Sequence, residues 1–241
     1  MSQLPRFFYN GLLEVNTTVS LDADTAKHIW QVLRMEADDE VVLTDGNGTT
    51  ATGRIHTAER HKCNVTIANV DFHPRQGKLL HLGVGFTKNN SRNEWLLEKA
   101  TELGVSSIIP ILAAHSEKTY VRHERWQKIL QSAILQSKQY YLPHLSEITP
   151  LETVLREHKD IPQKLIAHCI EGAKRPLSEM LKPSSETILL IGPEGDFTQE
   201  EVNLCLEYGF EPVSLGAQRL RTETAAITAA AYFNVMYNGT V

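Results

Sequence analysis

The feature that most constrains the fold of this chain is a change of pattern near residue 73. Before it, one helix with apolar residues at helical spacing (Ala26, Ile29, Val32 and Leu33) is expected over 23–35. The same region holds three runs rich in Val, Ile and Thr that are typical of β-strands: 40–45, 49–57 and 62–72. After residue 77, strand-like runs alternate with helical patterns to the end of the chain. Such alternation predicts a mostly parallel sheet covered by helices.

The segment 73–77 combines Pro, Gly and charge, which favours a domain boundary. We therefore expect a β domain over 1–72, a linker over 73–77 and an α/β domain over 78–241. A composition of 41% apolar and 22% charged residues is ordinary for a globular protein and argues against a long disordered tract. No apolar run approaches the roughly 18 residues of a membrane span, and the start lacks a signal-peptide pattern, so a cytoplasmic protein is expected.

Turn and cap residues indicate where individual elements begin and end. The run Asp45–Gly48 has the chemistry of a hairpin turn. Ser91 with Glu94, and Thr198 with Glu201, fit helix capping boxes. The expected strands of the α/β domain are 79–86, 106–112, 164–169, 187–191 and 212–215. Its expected helices are 92–103, 122–140, 199–208 and 223–237.

Charge and cysteine content exclude some classes of function. The net charge is −5, but residues 76–145 carry nine Lys and Arg against five Asp and Glu. This local excess favours either a basic surface that meets phosphates or an ordinary solvated face. No CxxC pattern or metal-ligating cluster is visible, so neither a disulfide nor a metal site is expected. Buried or partly buried free thiols are expected at Cys63, Cys169 and Cys205.

The segment Ile191–Asp196 follows an apolar strand and precedes a capped helix. Ligands of open α/β sheets bind beyond the carboxyl ends of strands, and two glycines here allow close approach of a ligand. The pattern is neither a Walker A loop nor GxGxxG, so pyrophosphate binding has no support. From these residues alone, a ligand-binding turn and a purely structural turn both remain open.

Three further features could carry chemistry. Leu215–Thr224 joins a strand to a helix with five alanines in seven positions, 225–231, and Thr222 is the expected N-cap. Its polar groups suit either a ligand or simple capping with a surface ion pair. Glu98–Val105 fits an amphipathic helix that ends at Gly104, with solvated charges. His168 lies at a strand end, where it is either a site residue or a satisfied core histidine.

Four motifs stand in the order and spacing of one known family. The chain resembles, over nearly its whole length, the RsmE family of bacterial 16S rRNA (uracil-N3)-methyltransferases in the SPOUT superfamily. The motifs are His28–Met35, Glu98–Val105, Gly192–Gly195, and Leu215-Gly216 followed by Leu220–Thr224. Three positions depart from the family pattern: His115 and Gln139 stand where Arg is usual, and Asp196 stands where Gly is common.

The resemblance implies a fold that composition does not suggest. It implies an N-terminal PUA-like β-barrel and a C-terminal SPOUT α/β domain with a deep trefoil knot, so the chain is α+β overall. It implies S-adenosyl-L-methionine as cofactor and a homodimer. Because the small side chains of 225–231 permit close backbone approach, we expect the alanine-rich final helix near the dimer interface. The substrate would be N3 of a uridine near the decoding centre of 16S rRNA, within the small ribosomal subunit. The alternative is a non-catalytic, RNA-binding ribosome assembly factor that retains the fold.

The resemblance also assigns residues to roles. Arg221 and Glu223 are the expected catalytic residues. Arg221 would stabilise negative charge on the base. Glu223 would accept the proton if its pKa is raised and would otherwise orient its neighbours, with water or hydroxide as the alternative proton acceptor. RNA contacts are expected at Arg6, Arg34, Lys88 and Arg92, for which ordinary surface charge is the alternative. The cofactor is expected at Ala167, His168, Ile191, Gly192, Pro193, Glu194, Gly195, Leu215, Gly216, Leu220, Arg221, Thr222 and Thr224, mostly through backbone hydrogen bonds.

Overall fold

The structure, a computed structural model, describes residues 4–117, 120, 122–182 and 186–237. The chain divides into two compact units. The first contains the described residues up to Arg75 together with Ile134–Leu142, and the second contains the remainder. Sequence analysis placed 134–142 in the second domain. In the structure this segment belongs with the first unit, because the backbone N–H of Leu142 donates to the Gly46 carbonyl at 2.7 Å.

The first unit is built on a five-stranded sheet. Its strands are β1 (Arg6–Phe8), β2 (Thr18–Ser20), β3 (Glu40–Thr44), β4 (Thr49–Glu59) and β5 (Lys62–Phe72). They lie in the order β1-β3-β4-β5-β2, with β1 parallel to β3 and every other pair antiparallel. The predicted hairpin turn joins β3 to β4, where Gly46 and Gly48 have φ of 71° and 95°. Both angles lie in the left-handed region that favours glycine.

The helical part of the first unit differs from the single helix predicted over 23–35. Helix α1 covers only Ala23–Lys27, and a π-helical segment follows over His28–Leu33. Ala26 and Ile29 are buried as predicted, but Val32 and Leu33 are 64% and 40% exposed. The reason is geometric, since a π-helix has more residues per turn than an α-helix and therefore turns later residues off the core-facing stripe.

The second unit contains an eight-stranded sheet in which all described strand pairs are parallel, which confirms the predicted parallel sheet. The central order is β11-β13-β10-β12-β6-β7-β8, and β9 pairs with β7. The strands are β6 (Leu79–Val84), β7 (Ser107–Leu112), β8 (His144–Leu145), β9 (Thr149–Pro150), β10 (Gln163–Ala167), β11 (Arg175–Pro176), β12 (Glu186–Ile191) and β13 (Glu211–Ser214). Sequence analysis missed the two-residue strands, which are too short to show a period.

The remaining helices are α2 (Asn90–Glu102), α3 (His123–Ser137), α4 (Leu151–Glu157), α5 (Leu177–Met180), α6 (Gln199–Glu207) and α7 (Thr222–Tyr237). The capping box of α6 is confirmed, with Thr198 and Glu201 bonded reciprocally. The predicted cap of α2 is wrong: Asn89, rather than Ser91, is the N-cap, and its side chain accepts from the Ser91 N–H. No helix among the described residues is long and apolar enough to cross a membrane.

Burial corrects two further expectations. The alanines at 225, 226, 229 and 230 are buried inside the chain, because α7 packs on α2, β6 and β12. Cys63 and Cys205 are buried free thiols as predicted, and burial raises the pKa of Cys205 to about 12. Cys169 is an exposed free thiol rather than a buried one. It lies just beyond the end of β10, where the chain leaves the sheet.

Candidate functional site

A cavity of about 730 Å³ opens at the carboxyl ends of three neighbouring strands, β13, β10 and β12. Sequence analysis named eleven residues that line it: Ala167, His168, Ile191, Gly192, Pro193, Glu194, Leu215, Gly216, Leu220, Arg221 and Thr222. Cys169 and Asp196 also line it and lie within the expected crevice segments 166–171 and 191–196, whereas Lys174, Val213 and Ala225 were missed and Arg92 had been assigned to RNA. Gly195, Thr224 and Glu223 do not line the cavity. The volume lies within the range of small-molecule and cofactor sites.

The turn after β12 is held by hydrogen bonds at several points. Asp196 donates its backbone N–H to the Pro193 carbonyl at 2.9 Å and adopts a φ of 64°. Its carboxylate accepts the backbone N–H of Cys169 at 2.6 Å. Its carbonyl accepts from Nδ1 of His115 at 3.1 Å. The two departures from the family pattern, His115 and Asp196, are therefore bonded to each other, and Asp196 ties this turn to the segment after β10.

The two glycines of this turn serve its packing rather than opening the cavity. A Cβ at Gly192 would lie 2.8 Å from Oδ1 of Asp196 and 3.1 Å from the Phe197 nitrogen. A Cβ at Gly195 would lie 2.8 Å from the His115 Cβ. By contrast, a Cβ at Gly216, which lines the cavity, would meet no atom within 4 Å, although its φ of 133° disfavours other residues. The missing side chain at Gly192 thus allows the turn to close on itself, and the missing side chain at Gly195 allows the turn to pack against His115.

The start of α7 is fixed to the same turn. Thr222 is buried, and its hydroxyl donates to the Gly192 carbonyl at 3.0 Å. Sequence analysis expected Thr222 to be the N-cap, but it is the first helical residue, and the Arg221 carbonyl accepts the first helical N–H, from Ala225. This bond joins two segments that are 30 residues apart in sequence. The cavity is therefore assembled from loops that hold one another in place.

Charged side chains gather at one side of the cavity around Arg92. Its Nη1 donates to Oε1 of Glu194 at 2.9 Å, and its Nε lies 3.6 Å from Oε1 of Glu223. Glu223 is 7% exposed, and its Oε2 has no hydrogen-bond partner among the described residues. Arg221 is exposed and lines the cavity. Arg92 therefore faces two carboxylates, whereas sequence analysis expected it to contact RNA.

The environment of His168 favours its neutral form. Burial is the largest cause that lowers the pKa of His168 below its ordinary value, and the Lys174 ammonium adds to this effect, whereas Asp196 opposes it. Lys174 also donates to the His168 carbonyl at 2.8 Å, so the cation is held close to the ring. Among the described residues, no group of three or more His, Cys, Asp or Glu side chains could hold a metal ion.

The other residues predicted to contact RNA are not brought to the cavity. Lys88 is exposed in the second unit and pairs with Glu117 at 3.3 Å. Arg34 ends the π-helical segment of the first unit, with an exposed side chain and a φ of 54°. Arg6 begins β1 and donates from Nη1 to the Gln139 carbonyl at 3.4 Å. Of the three arginines and one lysine named from the sequence, only Arg92 lines the cavity.

The comparisons with known proteins agree on one family. Residues 75–234 match the model of the RNA methyltransferase domain, and residues 21–68 match that of the RNA methyltransferase PUA domain. The chain is similar to a curated protein of Bacillus subtilis (strain 168), ribosomal RNA small subunit methyltransferase E. The two are 26% identical, and the match covers 94% of each chain.

Solved structures give the same result. The crystal structure of a probable rRNA-methyltransferase from Porphyromonas gingivalis matches with a TM-score of 0.90 and 35% identity, over 97% of this chain and 98% of that one. A ribosomal RNA small subunit methyltransferase E from Neisseria gonorrhoeae, bound to S-adenosyl methionine, matches with a TM-score of 0.87 and 30% identity, over 99% and 100%. These matches confirm the family to which sequence analysis pointed. The chain belongs to the family of ribosomal RNA small subunit methyltransferases E.

Proposed function

We propose that this protein is a 16S rRNA methyltransferase that transfers a methyl group from S-adenosyl-L-methionine to N3 of a uridine near the decoding centre. The observation that carries the proposal is the cavity at the ends of β10, β12 and β13, with Arg221 exposed in its wall. Its loops are the motifs that the chain shares with its family. A non-catalytic assembly factor would have no use for this cavity.

The residues of the cavity fit S-adenosyl-L-methionine. Apolar side chains from Ile191, Leu215 and Leu220 line it, as does the backbone at Gly192 and Gly216. Apolar walls with a few placed polar groups suit an adenosine moiety. When bound, the cofactor supplies a methyl group on a sulfonium centre. The backbone of 167–169, 191–194 and 215–222 would hold it. Burial lowers the pKa of His168, so this residue would add no further positive charge to the cavity wall.

Methyl transfer to N3 of uracil requires that the proton on N3 leaves, and negative charge then spreads over O2, N3 and O4. Arg221, exposed in the cavity wall, is placed to stabilise this charge. Glu223 lies outside the cavity lining, beside Arg92, so we assign it the positioning role and not that of the base. Its carboxylate orients Arg92, which in turn holds Glu194 of the turn after β12. With Glu223 in that role, the proton on N3 would pass to water or hydroxide.

We also propose the finer features of the fold: a closed PUA-like barrel in the first unit and a trefoil knot in the second. The path of the chain after β13 supports the knot. Strand β13 lies on one side of β10, whereas α7 packs on β12 and β6, which lie on the other side. Between them the chain passes the turn after β12, where Thr222 bonds to Gly192. Knots are rare among protein folds, so a sequence pattern does not suggest one.

We propose that the protein acts as a homodimer in the cytoplasm, where its ribosomal substrate is. The alanines of α7 at 225, 226, 229 and 230 are buried inside the chain, so they do not form the dimer contact expected from the sequence. Exposed apolar residues further along α7 support the dimer instead: Tyr232, Val235 and Met236, which are 44%, 74% and 51% exposed.

We predict a dimer by light scattering at micromolar concentration. The double change Val235→Glu with Met236→Glu should shift it to 27.1 kDa, and a wild-type monomer would contradict the proposal.

One experiment separates the proposed enzyme from the assembly factor. The purified protein is incubated with labelled S-adenosyl-L-methionine and small ribosomal subunits, or 16S rRNA, that lack the modification. The nucleosides are then analysed by mass spectrometry. We expect 3-methyluridine at a single site. Binding of the subunit without transfer of label would establish the assembly factor instead, and a methyl group on another base atom would refute the assignment to N3.

A further inference from the structure

Two tyrosines after α3 belong to the first unit and are fixed against its other segment. The rings of Tyr140 and His73 stack with their centroids 3.8 Å apart and their planes 10° from parallel. The Tyr141 hydroxyl donates to the His73 carbonyl at 2.7 Å, and the Gly48 N–H donates to the Tyr140 carbonyl at 3.0 Å. Backbone, hydroxyl and ring contacts therefore hold both tyrosines in one orientation.

Each of these tyrosines lies beneath an arginine. The guanidinium carbon of Arg75 is 4.6 Å from the centroid of the Tyr141 ring, and that of Arg6 is 5.4 Å from the centroid of the Tyr140 ring. Both distances are within the range of cation–π interactions. Arg75 is exposed, and neither arginine forms an ion pair with a carboxylate of the described residues. Two guanidinium groups are thus held in place without an anionic partner.

A guanidinium that packs on an aromatic ring keeps its N–H donors available, because they lie in the plane of the group. Such a group forms bidentate hydrogen bonds with phosphate and loses little conformational freedom when it does so. Asp45, in the turn after β3, accepts the backbone N–H groups of Asn47 and Thr49 on Oδ1 and forms no ion pair with either arginine. The arrangement is suited to a phosphate backbone.

We propose that this arginine–tyrosine surface, formed by Arg6, His73, Arg75, Tyr140 and Tyr141, binds backbone phosphates of the rRNA substrate. The inference rests on the proposed function and adds to it a contact surface outside the cofactor cavity. Contacts of this kind position a nucleic acid and carry no base specificity. They orient the rRNA on the first unit for a reaction in the second.

Arg75 allows a sharp test, with Arg60 as the matched control. Arg60 is also an exposed arginine of the first unit, but it lies at the opposite end of the β4–β5 hairpin, about 30 Å away. Affinity of the full-length protein for transcribed 16S rRNA is measured at 50 and 200 mM salt. One phosphate contact accounts for about a threefold loss of affinity over this range. For Arg75→Gln we expect the ratio of the affinities at 50 and 200 mM salt to be about threefold smaller than for wild type.

Arg60→Gln and Arg75→Lys should keep the wild-type salt dependence, the latter because it retains the charge. The proposal is overturned if Arg75→Gln keeps the salt dependence of wild type. It is also overturned if Arg60→Gln reduces the salt dependence as much as Arg75→Gln does. Cofactor binding, measured separately by calorimetry, should be unchanged in every variant. A wild-type chain that binds rRNA but not S-adenosyl-L-methionine would refute the proposed function alone, and leave this surface supported by its own result.

Discussion

The cofactor cavity of the second unit and the arginine–tyrosine surface of the first are built in opposite ways. The cavity is fixed mainly by hydrogen bonds that involve the backbone, such as those from Thr222 to Gly192 and from Cys169 to Asp196. On the surface, backbone and hydroxyl bonds hold the tyrosines, and contacts with their rings hold the guanidinium groups that would meet the ligand. The difference teaches that shape governs the first site, whereas charge governs the second. Steric changes should therefore affect cofactor binding, and changes of charge should affect RNA binding.

The largest effect is expected from a steric change in the turn after β12. Gly195→Val should abolish binding of S-adenosyl-L-methionine, because the new Cβ would lie 2.8 Å from the His115 Cβ and displace a turn that is bonded on both sides. Calorimetry measures the binding, and circular dichroism checks that the fold is retained. The smaller change Gly195→Ala should also weaken binding, and His115→Gly in the same chain should restore it. Unchanged cofactor affinity in Gly195→Val would remove this turn from the site.

A change of charge inside the cavity should separate chemistry from shape. Arg221→Gln should lower kcat by about a hundredfold, the usual cost of removing one donor that stabilises developing negative charge. The control Arg175→Gln removes an exposed arginine of the same unit, at β11, and should have no effect. Steady-state methylation measures kcat, and single-turnover methylation checks that the chemical step is the one that slows. A wild-type rate for Arg221→Gln would show that charge on the base is stabilised by another group.

Removing a charge outside the cavity should weaken RNA binding and leave cofactor binding unchanged. Arg34→Ala should weaken rRNA binding, reduce the salt dependence by about one unit of slope and reduce methylation at limiting rRNA. Arg54→Ala is the matched control, since Arg54 is exposed in the same unit but already paired with Glu40 at 3.0 Å. Loss of cofactor affinity in Arg34→Ala, or full activity on ribosomal subunits, would show that this role for Arg34 is wrong.

The same contrast explains what could be predicted from the sequence. The parallel sheet follows from the alternation of patterns, and the cavity residues follow from motifs that are continuous in sequence. Arg75 could not be predicted, because its ring partner Tyr141 is 66 residues away and belongs by sequence to another domain. Val32 was wrongly assigned to the core, because a change from α- to π-helix leaves the pattern of residue types unaltered. Contacts between side chains that are far apart in the sequence depend on the folded structure and cannot be predicted from local sequence patterns.

The smallest effect is expected from His168, a cavity residue on which both burial and a neighbouring charge act. Burial, with Lys174 nearby, lowers the pKa of its imidazole in the folded chain. The unfolded chain, with a pKa near the ordinary value of about 6.5, therefore takes up a proton first as the pH falls. His168 should leave stability unaffected above that pH, and the free energy of unfolding should decrease as the pH falls toward the folded pKa. Urea unfolding at pH 7.5 and 5.0 measures this decrease, which should be smaller in His168→Gln. An equal decrease in both proteins would mean that the ring is protonated as readily in the folded chain as in the unfolded one, and the cavity would then hold a positive charge at mildly acidic pH.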